Sequence, residues 1–245
     1  MISRIYEDAD VLVINKPDGV LVHEDGEEVR EGALETVVGW FISQVPSARE
    51  VGEPGVGKRG ETLLRSGVVH RLDRETSGVL ILAKTQDAFL FLKHQFQSRA
   101  VEKEYRAFVY GTMKEKWGRI DRPIGRSAQD FRLRSAQRGA KGILREAVTD
   151  WELIGQTTTH AYIKAFPKTG RTHQIRVHLK AINHPIVCDA LYAPNQPCEL
   201  GFARLALHAH TLGITLPSGE SKRFVAPLPQ VFVDAVDRMS EDFPA

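Results

Sequence analysis

The chain has little cysteine, no long apolar run and almost no net charge. Its 245 residues include only two cysteines, Cys188 and Cys198, whose spacing fits neither a disulfide framework nor a zinc site. No apolar stretch approaches the roughly 20 residues that a membrane-spanning helix needs. The first residues show no basic region followed by an apolar one, so no signal peptide is predicted. We therefore expect a protein of the reducing cytoplasm with no membrane partner.

Complete motifs for a cofactor or a metal are also missing. A near match to a P-loop occurs at residues 52–59, but Arg59 replaces the hydroxyl residue that binds magnesium, and no apolar strand leads into Gly52. His173, His178 and His184 do not have the spacing of standard metal ligands, and we interpret them as hydrogen-bonded structural residues. The sequence thus predicts no metal and no nucleotide cofactor.

The formal net charge is only +2, but the charges are unevenly distributed. Residues 23–53 are mainly acidic, whereas residues 114–145 are mainly basic. A basic block of this kind can bind a polyanion through phosphate contacts. It is equally typical of a solvated hairpin face, and composition leaves both interpretations open. Its basic residues are Lys114, Lys116, Arg119, Arg122, Arg126, Arg132, Arg134, Arg138, Lys141 and Arg145.

Hydrophobic patterning predicts strands and helices in an irregular order, without internal repeats or a long linker. This mixture favours an α+β fold with a mixed, mostly antiparallel β-sheet flanked by helices. The absence of a spacer predicts a single domain over residues 1–245. The predicted strands cover residues 11–14, 79–83 and 105–110, the helices cover residues 32–45, 85–99 and 172–182, and residues 46–60 are predicted to be a surface loop.

The most informative segment is residues 69–78, Val-His-Arg-Leu-Asp-Arg-Glu-Thr-Ser-Gly, which leads directly into the apolar run at residues 79–83. A charged loop that opens into a buried strand puts polar side chains at a sheet edge, where functional sites are often built. From these residues alone, Asp73 is either a catalytic carboxylate or a loop aspartate that forms a turn with Thr76 or Ser77.

Segments in a fixed order resemble the motifs of the RluA-type pseudouridine synthase family. The resemblance extends over residues 5–228. Asn183, Cys188 and Ala193 replace residues that are commonly glycine in the family, which affects loop shape rather than chemistry. No S4-type RNA-binding domain precedes the first motif, so a stand-alone catalytic domain is expected. The matching segments are residues 6–19, 70–78, 103–107, 169–192 and 204–209.

The resemblance implies an isomerase that converts uridines of structured RNA, either rRNA or tRNA, into pseudouridine without a cofactor or a metal. We also expect a monomer. The alternative is an RNA-binding or assembly protein that kept the fold without turnover, and the presence of the expected catalytic side chains argues against it. The implied residues are Asp73 as nucleophile or base, Tyr105 as the active-site tyrosine, Arg176 as the ion partner of Asp73, Arg71 as the side chain that replaces the flipped base, and His70 and Arg171 as further substrate contacts.

Overall fold

In the computed structural model, the described chain forms two compact units, each built from two separate chain segments. Unit 1 consists of Met1–Glu102 and Thr211–Pro227, and unit 2 consists of Lys103–His210 and Leu228–Ala245. The residues that the structure describes are 1–23, 36–56, 62–63, 65–128, 130, 133–137 and 139–241.

Unit 1 is organised around antiparallel strand pairs. Strand β1 pairs with β2, β2 pairs with β5, and β13 pairs with β14. Strand β13 contributes its first residues to unit 2 and the remainder to unit 1. The elements of unit 1 are β1 (Ser3–Glu7), β2 (Val11–Lys16), α1 (Val37–Gln44), a 3₁₀ helix (Pro46–Glu50), β3 (Gly55–Val56), β4 (Thr62–Leu63), β5 (Ser77–Ala83), α2 (Gln86–Gln97), β13 (Leu207–Thr215) and β14 (Ser221–Val225).

Local sequence accounts for several of these elements. The Asp8 carboxylate accepts the backbone N–H groups of Asp10 and Val11, both at 2.8 Å, which closes the turn between β1 and β2. Every residue of β5 is buried, as its continuous apolar run predicts. The hydroxyl of Thr85 accepts the Ala88 N–H at 3.2 Å and caps the first turn of α2.

Unit 2 contains a larger antiparallel sheet and a small three-stranded one. In the larger sheet β12 pairs with both β6 and β11, and β11 pairs with β7. The small sheet has the order β10-β8-β9. The elements are β6 (Glu102–Tyr110), β7 (Trp117–Asp121), β8 (Ile124–Arg126), β9 (Arg134–Ser135), β10 (Lys141–Arg145), β11 (Val148–Gln156), β12 (His160–Pro167), α3 (Gln174–Ala181) and α4 (Gln230–Glu241).

The core of unit 2 fixes the orientation of α3. Ile175 and Leu179 are buried in a cluster with Phe108, Ile163 and Phe202. The opposite faces of the same helix are also largely buried, so its polar side chains are held inside the protein. Helices α2 and α4 have 12 residues each. Among the described residues no helix is both long and apolar enough to cross a bilayer.

The fold class is confirmed, and most predicted elements form with altered ends. Strand β5, the helix capped by Thr85 and the strand over residues 105–110 are present. The left-handed conformation expected at Asn183 is also found, with φ of 65°. The helix expected over residues 172–182 begins two residues later because His173 adopts φ of 57° and precedes it as the N-cap.

Two predictions near the N-terminus need correction. The helix expected over residues 32–45 begins at Val37, where the hydroxyl of Thr36 accepts the Gly39 N–H; residues 32–35 lie outside the described part. The surface loop expected over residues 46–60 contains the 3₁₀ helix and β3 instead. Ala48 in that 3₁₀ helix is fully buried, so the segment packs against the protein.

Candidate active site

The loop that carries Asp73 lies in unit 1 and is closed by backbone hydrogen bonds. The Asp73 carbonyl accepts the Thr76 N–H at 3.1 Å, and the Gly19 N–H donates to the Arg74 carbonyl at 2.9 Å. The Arg74 Nε donates back to the Gly19 carbonyl at 3.2 Å. Thr76 and Ser77 are buried, whereas Asp73 is half-buried. The loop is therefore fixed to the turn that follows β2, and Asp73 keeps some access to solvent.

A buried ammonium group joins this turn to the loop. Lys16 is fully buried, and its Nζ donates to the carbonyls of Pro17 and Val20, both at 2.9 Å, and of Arg74 at 3.1 Å. Burial lowers the pKa of Lys16 to about 8, against the opposing attraction of Asp18, Glu75 and Asp73. The sequence motif contains Lys16 but assigned it no role. The structure gives it a role in holding the Asp73 loop and in supplying positive charge below it.

The two other candidate residues of this loop have different environments. The His70 Nε2 accepts the Ile81 N–H at 3.1 Å, and its ring stacks on Phe96 with centroids 4.5 Å apart. His70 thus anchors the loop to β5 and α2. Arg71 is exposed, and its Nη1 lies 3.3 Å from the Nε2 of His23. The Arg71 guanidinium is therefore accessible to solvent, whereas the His70 ring is held against β5 and α2.

In unit 2, Arg176 is held by a carboxylate that sequence reasoning did not assign. The Arg176 side chain is buried, and its Nε and Nη2 donate to the two oxygens of Asp189 at 2.8 and 2.7 Å. Asp189 is 1% exposed, and its Oδ1 also accepts the N–H groups of Leu191 and Tyr192. Bidentate pairing of this kind fixes the plane of the guanidinium as well as its charge. An Asp-x-x-Tyr pattern within the third motif was the available signal.

Tyr192 gives the same guanidinium a second support. The Arg176 Cζ lies 5.1 Å from the centre of the Tyr192 ring, within the range of a cation–π contact. The Tyr192 hydroxyl lies 2.8 Å from the Nδ1 of His173 and accepts the backbone N–H of Arg134 at 3.1 Å. Arg176 is therefore confined both in the plane of its guanidinium and on one face.

A buried polar network attaches the loop before α3 to β11. The Gln174 Oε1 accepts the Thr169 hydroxyl at 2.6 Å and the Arg171 N–H at 3.0 Å. The Gln174 Nε2 donates to the Thr149 hydroxyl, which also lies 2.9 Å from the Nδ1 of His178. Burial lowers the pKa of His178, so the neutral ring is favoured inside this network. These bonds set the direction in which α3 leaves the loop.

Tyr105 lies on β6 opposite Ala165 of β12 and is half-buried. Lys103, two residues earlier, donates to the Thr169 carbonyl at 3.4 Å. Burial, with a smaller effect of Lys168, lowers the pKa of Lys103 to about 8. Arg171 is half-buried, and its Nε donates to the Glu146 carbonyl at 3.0 Å. Strand β6 and the loop before α3 therefore both carry candidate residues within unit 2.

The histidines considered as metal ligands have protein partners. His173 contacts Tyr192, His178 contacts Thr149, and the Nδ1 of His184 lies 3.0 Å from the Tyr110 carbonyl. The interpretation as hydrogen-bonded structural residues is therefore confirmed. Within the described ranges no group of three or more acidic, histidine or cysteine residues is arranged to hold a metal ion. Residues 57–59 of the segment resembling a P-loop lie outside those ranges.

The prediction that the two cysteines do not form a disulfide is wrong. Cys188 and Cys198 are bonded, with Cα atoms 4.5 Å apart. The Tyr110 hydroxyl binds both ends of the intervening loop, since it accepts the Cys188 N–H and donates to the Pro197 carbonyl. A separation of 10 residues in sequence did not reveal that the loop returns on itself. The cysteine content therefore no longer supports a reducing compartment.

Comparisons with known proteins agree on one family. Residues 10–181 match the family model for RNA pseudouridylate synthase. The chain is 38% identical to an uncharacterized RNA pseudouridine synthase of Synechocystis over 93% of its length, and 38% identical to the ribosomal large subunit pseudouridine synthase D of Neisseria meningitidis over 92%. It spans 66% and 58% of the length of these two relatives.

A solved structure is similar as well. The human RNA pseudouridylate synthase domain containing 1 superposes with a TM-score of 0.73 at 26% identity. The match covers 96% of this chain and 87% of the human one. The similarity extends over both compact units.

Proposed function

Because this chain belongs to the RNA pseudouridylate synthase family, we propose that it isomerises uridines of structured RNA, with Asp73 as the nucleophile or base. The observation that carries the proposal is the Asp73 loop, which has the family's motif, is held rigidly by Lys16 and leaves Asp73 half-buried. The name of the Neisseria relative favours ribosomal RNA over transfer RNA as the first substrate to test. A cytoplasmic monomer acting as a single domain over residues 1–245 completes the proposal.

The chemistry of the reaction fits the side chains of the site. The N1–C1′ bond of uridine breaks, the base rotates, C5 bonds to C1′, and the proton on C5 is lost. The reaction is redox-neutral, and no group leaves the RNA. An ionised Asp73 begins it either by attacking carbon or by removing a proton, and both routes remain open. Tyr105 supplies an aromatic face for the uracil and a hydroxyl for proton transfer at C5.

Arginine residues have two roles in this proposal. Arg176 is proposed as the ion partner of Asp73, since a cation in contact with a carboxylate offsets the cost of burying it. Its pairing with Asp189 supports this role by fixing the direction of the guanidinium. Arg71 occupies the space that the uridine vacates when it leaves its stack, and its exposure on the loop is compatible with that. Extruding the base costs a few kcal/mol.

The test is the Asp73→Asn variant, which is nearly isosteric but neither nucleophilic nor basic. We expect release of tritium from C5-labelled uridine RNA to fall to background, while the Tm and the affinity for RNA stay close to those of the unchanged protein. Glu75→Gln is the matched control, since it removes one negative charge from the same loop. Equal turnover in Asp73→Asn and the unchanged protein would disprove the assignment. Absence of turnover in both would favour the RNA-binding alternative.

A further inference from the structure

A cavity of about 430 Å³ lies in unit 2 where the small sheet meets the loop before α3. Four arginine side chains line it, from three strands and from the loop. The rest of its lining is neutral, with Ile143 and the backbone of glycine residues among it. The arginines, which we call the arginine pocket, are Arg126 on β8, Arg134 on β9, Arg145 on β10 and Arg171 before α3.

The positive charge of this pocket is not compensated by the part of the protein that the structure describes. Of the described residues that line the cavity, none is an aspartate or a glutamate. Within the same described ranges, no carboxylate forms an ion pair with Arg126, Arg134 or Arg145. Arg119 on the neighbouring β7 is different, because its Nε and Nη2 donate to both oxygens of Asp150 at 2.7 and 3.1 Å. Like charges around one cavity repel one another, and a bound anion relieves that repulsion.

The backbone of β10 is deformed at the pocket. The register between β10 and β8 shifts between Lys141 and Arg145, as in a β-bulge. Gly142 within this irregular stretch has φ of 74° and open space where a side chain would be, so a ligand is able to approach its backbone closely. Next to it Ile143 is 82% exposed. The bulge thus places an exposed apolar side chain at the rim of a cationic cavity.

Arginine, glycine and an apolar rim together select the kind of anion. Guanidinium groups pair bidentately with phosphate oxygens, and an exposed Ile143 suits a ribose or a base rather than a free inorganic ion. The pocket is also linked to the candidate catalytic arginine. The Arg134 N–H donates to the Tyr192 hydroxyl, and the Tyr192 ring lies against the Arg176 guanidinium.

We propose that the arginine pocket binds a backbone phosphate of the substrate RNA, on the strand that carries the target uridine, with the adjoining nucleotide against Ile143. This inference rests on the proposed function for the identity of the RNA. The bound phosphate sets the register of the strand relative to Arg176, because Arg171 and Arg176 are joined by the hydrogen-bonded turn at Gln174. A contact with a backbone phosphate does not by itself distinguish one base sequence from another.

The test measures binding of a short fluorescein-labelled RNA with one central uridine at several salt concentrations. In the double variant Arg126→Gln/Arg145→Gln, we expect affinity to fall roughly tenfold or more. The slope of log K against log salt should also become shallower by about 0.7–0.9 for each phosphate that the protein no longer neutralises. Arg119→Gln is the matched control, because it removes one arginine charge from a residue already paired with Asp150. It should leave the slope unchanged.

A second measurement locates the phosphate. Single phosphates of the same RNA are replaced one at a time by neutral methylphosphonates. The unchanged protein should lose affinity at one position beside the uridine, and the double variant should show no further loss there. Arg145→Lys keeps the positive charge but loses the planar guanidinium that binds two phosphate oxygens at once. It should therefore retain only part of the RNA affinity of the unchanged protein. Thermal unfolding of each variant verifies that the fold is intact.

The outcomes separate this inference from the proposed function. An unchanged salt slope and unchanged affinity in the double variant would overturn the pocket while Asp73→Asn still abolishes turnover. Weak RNA binding by the double variant would support the pocket even if the unchanged protein shows no isomerisation. Failure of the unchanged protein to bind this RNA would overturn the pocket as a phosphate site.

Discussion

A buried cation in each unit organises the motif around it. Lys16 holds the Asp73 loop through three backbone carbonyls, and Arg176 is held by the Asp189 carboxylate. The difference in partners has a physical consequence. Neutral carbonyls do not compensate the charge of Lys16, so burial lowers its pKa, whereas Arg176 is in a buried ion pair in which each charge depends on the other.

Lys16 should make stability depend on pH. Its pKa is about 8 in the folded protein and near 10.5 in the unfolded chain, so between these values the unfolded chain binds more protons. The free energy of unfolding should therefore rise with pH in this window, by at most about 3 kcal/mol for this residue. Urea unfolding between pH 7.5 and 10.5 measures how the free energy of unfolding changes with pH. The contribution of Lys16 is the difference in this change between the unchanged protein and Lys16→Met. The exposed Lys116→Met is the control, and identical pH slopes in all three proteins would contradict the prediction.

Arg176 and Asp189 should show strong energetic coupling. Removing either partner leaves a buried charge without its counter-ion, so Arg176→Ala and Asp189→Asn should each lower the free energy of unfolding by about 3–5 kcal/mol. The double variant should recover part of this loss. Arg176→Lys should retain the fold but lose turnover, since it lacks the planar fork. Urea unfolding of the unchanged protein, the two single variants and the double variant gives the coupling free energy between Arg176 and Asp189. The same comparison with Asp73→Asn in place of Asp189→Asn tests the proposed pairing of Arg176 with Asp73. Additive effects for Arg176 and Asp189 would be inconsistent with the observed pair.

At the scale of elements, short helices and loops are held in place by hydrogen bonds, core packing and a disulfide, because they are too short to be stable alone. Helix α3 has only 8 residues, too few to be stable alone, yet it carries Arg176. It is fixed by the network of Gln174 and Thr149 at its start and by the Ile175 and Leu179 side chains in the core. The loop that supplies Asp189 begins at Cys188 and is closed at Cys198.

The disulfide should stabilise the loop that carries Asp189. Closing a loop with a sequence separation of 10 is worth about 2–3 kcal/mol through the unfolded state. Reductant should therefore lower the urea midpoint of the unchanged protein and have no effect on Cys188→Ser/Cys198→Ser. Mass spectrometry after alkylation in denaturant, with and without prior reduction, counts the free thiols. Two alkylated cysteines in protein purified without reductant would show that the bond does not form.

At the scale of the whole molecule, neither compact unit is a continuous piece of chain. Each combines two segments, and β13 contributes residues to both. Unit 1 lacks the pair of β13 and β14 until its second segment is present, and unit 2 lacks α4 until its second segment is present. The single domain over residues 1–245 stays a prediction beside these two units.

Unfolding should therefore be a single cooperative transition. Trp40 belongs to unit 1, and Trp151 belongs to unit 2. In variants with Trp117 replaced and either Trp40 or Trp151 kept as the single tryptophan, the fluorescence midpoint should coincide with the midpoint by far-UV circular dichroism of the same protein. Comparing two probes within one variant removes the effect of the substitutions on stability. Separate midpoints in either variant would show that the units unfold independently.

The sequence by itself determined the family, the fold class and most secondary structure. These depend on local information: a continuous apolar run for β5, a hydroxyl before α2 for its cap, and an asparagine followed by a proline at the end of α3. The motifs also identified which chain segments carry Asp73, Tyr105 and Arg176. Each of these signals lies within a few neighbouring residues.

Only the tertiary structure decided which distant groups meet. The burial of Lys16 under the Asp73 loop, the pairing of Arg176 with Asp189 and the disulfide at Cys188 each depend on chain segments that return to one another. The arginine pocket has the same origin, since its side chains come from three strands and a loop. A charged side chain shows its type in the sequence, but its partner, its burial and hence its pKa are set by the packing around it.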